Sequence, residues 1–153
     1  MNTEKKINVL NKLVVTNSDR IEGYDTAAEN TGKNELKTLF SKFAQTSQTC
    51  RHELAREIKK LGGEAEDGTK ASGKFFRAWM DVKSALSGND RKAILNSCEE
   101  GEEKAIESYE AALEDQSEHL TSSQQSMVRN QLDSIKADQR KIRSMQNVMT
   151  ELS

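Results

Sequence analysis

Apolar residues recur at alternating three- and four-residue steps through four long stretches of this chain, and no proline interrupts any of them. That spacing holds one stripe of side chains on one face of an α-helix, and the missing proline removes the strongest interior helix breaker. The expectation is an all-α chain whose stripes face one another.

The first stretch, residues 5–30, carries Ile7, Leu10, Val14, Asn17, Ile21, Tyr24 and Ala28. Residues 30–34 read as a loop in which Gly32 takes the left-handed conformation that ends helices. The second stretch, to residue 61, aligns Leu36, Phe40, Phe43, Ser47, Cys50, Leu54, Glu57 and Leu61, and Gly62-Gly63 stops it. The third starts at Asp90 as N-cap and aligns Leu95, Cys98, Glu102, Ala105, Tyr109 and Ala112. Thr121 and Gln124 form a capping-box pattern for the fourth, whose stripe is Val128, Gln131, Ile135, Asp138, Ile142, Met145, Met149 and Leu152.

The connection between the second and third stretches holds about 28 residues. Within it Ser72 caps a short helix bearing Phe75, Phe76, Trp79, Met80, Val82 and Leu86, and Gly88 ends it. Two hairpins joined by one long connection match the ferritin-like variant of the four-helix bundle, in a single domain over residues 1–153. The rival arrangement is an up-down-up-down bundle with the short helix capping one end. Gly23 and Gly101 fall inside helices and suit a close approach by another element, such as the ring of Trp79 or Phe76.

Composition narrows the function classes. Net charge is −2 with a pI near 5.8, so the concentrated basic face of a nucleic-acid binder is missing. Only 34% of residues are apolar, yet the near-neutral charge and strong periodicity oppose disorder. No run approaches the ~18 apolar residues that span a bilayer, and the polar residues 1–6 are unlike a signal peptide. A cytoplasmic protein that binds no membrane is expected. Two cysteines, Cys50 and Cys98, are too few for a disulfide framework; they read as buried apolar fillers, with a redox pair as the alternative.

Several local runs carry a resemblance: Glu22-Gly23-Tyr24 with Ala27-Ala28-Glu29; Leu61-Gly62-Gly63-Glu64 with Glu66-Asp67; Trp79-Met80-Asp81 with Lys83; and Cys98-Glu99 with Gly101-Glu102 and Tyr109-Glu110. In these the chain resembles an uncharacterised bacterial family of ferritin-like four-helix-bundle proteins, classed as a domain of unknown function (2383). The resemblance implies the fold and brings no activity with it.

Two stripes are broken by a carboxylate at mid-helix, Glu102 and Asp138, where bundles of this kind keep metals or ligands. Carboxylate-bridged di-iron bundles take a Glu from each of two helices and a Glu-x-x-His from each of the other two, since residues three apart share a face. Here Thr49 stands three before His52 and Gln116 three before His119, so no such pair exists. Aligning Glu22, Glu53, Glu102 and Asp138 with the four acids puts Arg56 and Lys141 where nitrogen ligands belong, and a cation offers a metal no lone pair. A hairpin folded about Gly32 also separates the levels of Glu22 and Glu53 by about 15 Å.

Asn17, Ser47, Glu102 and Asp138 therefore read as a central polar layer, structural or left from a metal site, with Glu22, Glu53 and Glu99 as further acids. Two buried acids require a proton or an Arg or Lys reaching in. Phe75, Phe76 and Trp79 form an aromatic cluster that packs as core or as a subunit interface. No nucleophile–base pair and no glycine-rich phosphate loop appears. The expected function is non-catalytic, exerted through protein contacts or in stress response, as a homodimer without cofactor. A metal-binding protein holding iron or manganese in an atypical carboxylate site, and a small-ligand binder, are the alternatives.

Overall fold

The computed structural model describes residues 3–66, 91–115 and 117–152. They form four α-helices, α1 (Thr3–Asn30), α2 (Asn34–Lys60), α3 (Arg91–Glu114) and α4 (Ser122–Leu152), with a 3-10 turn at Ser117–His119 before α4. No strand occurs among the described residues. The N-cap at Asp90, the short helix from Ser72 to Gly88, and its Phe75, Phe76 and Trp79 lie outside them.

Three helix ends show a clear local cause. Gly62 takes φ +87°, donates its N–H to the Lys59 carbonyl, and lets Gly63 donate to Ile58, both at 3.0 Å. This pair of bonds satisfies the last carbonyls of α2 and turns the chain away. A side chain at Gly63 would bring a Cβ within 2.8 Å of Ile7 Cδ1, so the turn closes against the start of α1. Gly32 departs from expectation: Gly62 alone among the described glycines has positive φ, and Thr31 ends α1 through a bond to Ala27. At α4 the capping box forms in both directions, Gln124 N–H to Thr121 Oγ1 at 3.1 Å and Thr121 N–H to Gln124 Oε1 at 3.0 Å.

The helices pack around one core. Tyr24 lies against Phe40 and Phe43, with ring centroids 5.7 and 5.2 Å away. Each fully buried Leu, Ile or Phe contributes about 1.5–3 kcal/mol. Two stripes shift from their expected course. On α2 Ile58 is buried, whereas Glu57 and Leu61 are only partly so. A straight helix drifts about 20° per seven residues, so the buried row steps from Leu54 to Ile58. On α1 Ile21 is half-exposed and Arg20 is completely buried instead.

Cross-helix contacts fix the directions. Along α1, Asn11 meets residues 64 and 66, Arg20 meets Ser47, and Tyr24 meets Phe43 and Phe40, so α1 and α2 are antiparallel. Asn17 meets Tyr109 and Arg20 meets Glu102, which sets α1 antiparallel to α3. Gln124 bonds Glu57 and Gln131 bonds Glu53, so α4 is antiparallel to α2. Gln139 with Glu103 and Gln146 with Asn96 make α3 and α4 antiparallel. Helices α2 and α3 therefore run in the same direction across the diagonal.

Candidate functional site

Two polar layers cross the middle of this bundle, one helical turn apart along α1, and every helix contributes to each. The first is charged and centres on Arg20, which is 0% exposed. Its Nη2 donates to Glu102 Oε1 at 2.7 Å and to Asp138 Oδ2 at 3.2 Å, while Nε reaches the same Glu102 oxygen at 3.3 Å. Its Nη1 donates to Ser47 Oγ, and the Tyr24 hydroxyl donates to Glu102 Oε1. The guanidinium carbon also lies 5.3 Å from the Tyr24 ring centroid, a favourable cation–π placement. One planar cation thus ties α1 to α2, α3 and α4, using the fork of donors that only Arg supplies.

The second layer is neutral. Asn17 Nδ2 donates to the Tyr109 hydroxyl at 2.7 Å and to the Leu13 carbonyl at 2.9 Å. Tyr109 donates to Gln131 Oε1 at 2.7 Å, and Gln131 Nε2 donates to Glu53 Oε1 at 3.0 Å and the Cys50 carbonyl at 3.3 Å. Each layer keeps one buried oxygen without a hydrogen-bond partner, Glu102 Oε2 and Asn17 Oδ1.

Burial sets the protonation tendencies. It lifts the Glu102 and Asp138 carboxyls above their ordinary values, while the charge of Arg20 pulls both back. Burial works against the Arg20 cation, but the surrounding groups, led by the charge and hydrogen bond of Glu102 and joined by Asp138, together more than offset it, and Arg20 stays protonated. Tyr24 and Tyr109 are pushed well up by burial and remain neutral hydroxyls. The Cys50 thiol is raised to about 11 and Cys98 further, again by burial, so both are poor nucleophiles at neutral pH.

Asn17, Ser47, Glu102 and Asp138 all sit buried at mid-bundle, with Asn17 in the neutral layer and the other three in the charged one. Ser47 meets Arg20, and Asn17 turns to Tyr109. Of the outlying acids only Glu53 touches a layer, at the exposed end of the Asn17–Tyr109–Gln131 chain. Glu22 is exposed on α1, Glu53 is an exposed acceptor for Gln131, and Glu99 pairs with Arg143 across α3 and α4. Arg56 and Lys141 are exposed, so neither enters the layer; the cation that does is Arg20, which the stripe assignment passed over for Ile21.

The residues at the centre do not fit a metal. Glu102 Oε1 and Asp138 Oδ2 already accept from a permanent cation lodged between them. Among the described residues no group of three or more His, Cys, Asp or Glu side chains converges. His52 is exposed and His119 pairs with Glu118 near the α4 end.

Residues 5–115 match the family described as Domain of unknown function (DUF2383). The chain belongs to this family. The matched region includes Asn17, Arg20, Tyr24, Ser47, Glu102 and Tyr109, and leaves out Gln131 and Asp138 on α4. No curated protein matches the chain. No described helix is long and apolar enough to cross a membrane.

Proposed function

We propose that this DUF2383 protein is a non-catalytic, ferritin-like bundle in which an internal guanidinium stands where such bundles hold metal, and that it works through protein–protein contacts. The observation that carries the reading is the Arg20 side chain, fully buried and shared between Glu102 and Asp138. With the central carboxylates already engaged by Arg20, we assign this layer no cofactor, iron and manganese included.

Two further supports concern the fold and its use. All four neighbouring pairs are antiparallel while α2 and α3 are parallel, so the end of α2 and the start of α3 sit at opposite ends of the bundle. One long crossover satisfies that, as in ferritin-like folds, whereas an up-down-up-down chain would set α3 antiparallel to α2. The raised cysteines and the lack of a nucleophile–base pair among the described residues favour a role through surfaces. A cytoplasmic homodimer, binding neither nucleic acid nor membrane and serving in stress response, is the form we assign.

Elemental analysis of protein purified without chelator tests this. We expect iron and manganese far below one equivalent per chain, in the wild type and in Glu102→Gln alike. Stoichiometric metal that disappears in Glu102→Gln contradicts the proposal and supports an atypical carboxylate site.

A further inference from the structure

Charged side chains on the outer side of the α3–α4 hairpin fall into two rows of opposite sign. Glu100, Glu103, Glu107 and Glu114 share one side of α3, and Arg143, Arg140, Lys136 and Arg129 share one side of α4. Followed toward the connecting loop, both rows take the same steps of three, four and seven residues. The helices are antiparallel, with Gln139 against Glu103 and Gln146 against Asn96. That register brings the four cations level with the four acids in the order given, each within about one residue, or ~1.5 Å. Each row has one exception, Asp133 on α4 and Lys104 on α3, and Lys104 is held by Glu107 at 3.6 Å.

Only part of this ladder closes within the chain. The side chains nearest the seam bridge it: Arg143 reaches Glu99 and Glu103, and Lys136 reaches Glu110. Glu100 and Arg140 each stand one position past a seam residue, Glu99 and Gln139, which sets them about 100° farther round the helix. Glu100, Glu114, Arg129 and Arg140 are all exposed, and none enters an ion pair among the described residues. Two acids and two bases are thus left over on one face. A groove of about 350 Å³ lies along the same side of α3, lined by Asn96, Glu99, Glu100, Glu103 and Lys104. Its mostly carboxylate walls suit a guanidinium, and it lies level with Arg140.

We propose that the α3–α4 face is where a second copy of this chain docks, turned about a two-fold axis parallel to the helices so that its α4 cations lie on the α3 acids. The proposal rests on the homodimer assigned above and names its interface. Such an axis keeps every level and exchanges the two helices, so each rung meets its opposite twice. The partner's Arg140 enters the groove beside Glu100, and the partner's Arg129 meets Glu114. A two-fold axis running across the helices would lay α3 on the partner's α3, acid against acid. A partner carrying one sign of charge fails as well, because one of the two rows repels it.

Sedimentation equilibrium of the full chain tests this. A dimer is expected whose dissociation constant rises about tenfold or more when salt is raised from about 0.05 to 0.5 M, because exposed charge is screened. Arg129→Glu/Arg140→Glu should weaken it at least as much, and so should Glu100→Arg/Glu114→Arg. Mixing those two variants should restore a dimer of wild-type strength, since each then offers the other the charges it lacks. Lys37→Glu/Lys59→Glu, exposed on α2, should leave the dimer unchanged. A monomer at every concentration would contradict both the homodimer and this face. A dimer indifferent to salt and to the α3 and α4 variants would keep the homodimer and overturn this face. Failure of the mixture to recover, or equal weakening by the α2 variant, would overturn this face too. The substituted side chains are exposed and the four on α3 and α4 are unpaired, so the variants keep the fold, which circular dichroism checks.

Discussion

The charged layer around Arg20 and the neutral layer around Tyr109 lie one turn apart, draw on the same four helices, and differ in how their polarity is satisfied. In the neutral layer hydrogen bonds pass in single file from Asn17 to Tyr109 to Gln131 and out to exposed Glu53. In the charged layer three helices converge on one guanidinium that is wholly buried. A linear chain with one end in water tolerates the loss of a link, because the remaining groups keep some partners. A hub has no such reserve. Losing Arg20 strands two carboxylates in a medium where isolated charge is strongly disfavoured. Both layers fix helix register, and the charged one does so with the higher penalty for error.

The largest expected effect breaks the hub. Arg20→Met keeps the volume and removes the cation, and should cost about 3–5 kcal/mol, the usual penalty for orphaning a buried charge. Chemical denaturation reads it, and a loss below about 1 kcal/mol would show that the guanidinium is not the common partner. The neutral layer should respond less. Tyr109→Phe removes one acceptor and one donor, leaving Asn17 and Gln131 short of a bond each, at about 1–3 kcal/mol. If it cost more than Arg20→Met, the ranking of the two layers would be reversed.

Smaller effects come from single acids. Glu102→Gln removes one of two carboxylates while Arg20 keeps Asp138, so the fold should persist with a change of about 1 kcal/mol or less in either direction. The Glu102 carboxyl is raised in the folded protein, so the folded state holds this proton more tightly than the unfolded chain. Its contribution to stability therefore falls as pH rises from the unfolded carboxyl value through the folded one, and the Gln variant should lack that fall. Asp19 gives the most sharply placed signal. Raised from 3.8 to about 6, it should lower stability progressively as pH climbs across that interval, with no further change above it. Melting curves of Asp19→Asn should be flatter over the same window; an unchanged slope would mean that Asp19 titrates normally.

The frame of this bundle was legible because it rests on short-range rules. The four stripes, the stop at Gly62-Gly63 and the Thr121–Gln124 cap each follow from spacing or from one turn's hydrogen bonds. Glu102 and Asp138 stood out as acids on apolar stripes, and the need for a balancing cation followed from their charge. Its identity did not. On α1 the choice at the turn between Asn17 and Tyr24 lay between Ile21 and Arg20, and hydropathy favours Ile. The row Leu10, Leu13, Asn17, Arg20, Tyr24, Ala27 keeps three- and four-residue steps equally well, and all six are buried. Charge counting across helices was the available signal, since two stripe acids facing each other call for a base on a third stripe. The Tyr109–Gln131 bond depends on side-chain geometry, which spacing alone does not carry.

The central claim is that Arg20 balances the buried acids, and a double-mutant cycle of Arg20→Met and Glu102→Gln measures that balance directly. In the wild type Glu102→Gln should be nearly neutral. In the Arg20→Met background it should restore stability by about 2 kcal/mol or more, because it removes a charge that has lost its partner. Equal effects of Glu102→Gln in both backgrounds, within about 0.5 kcal/mol, would contradict the account and show that something other than Arg20 neutralises the layer.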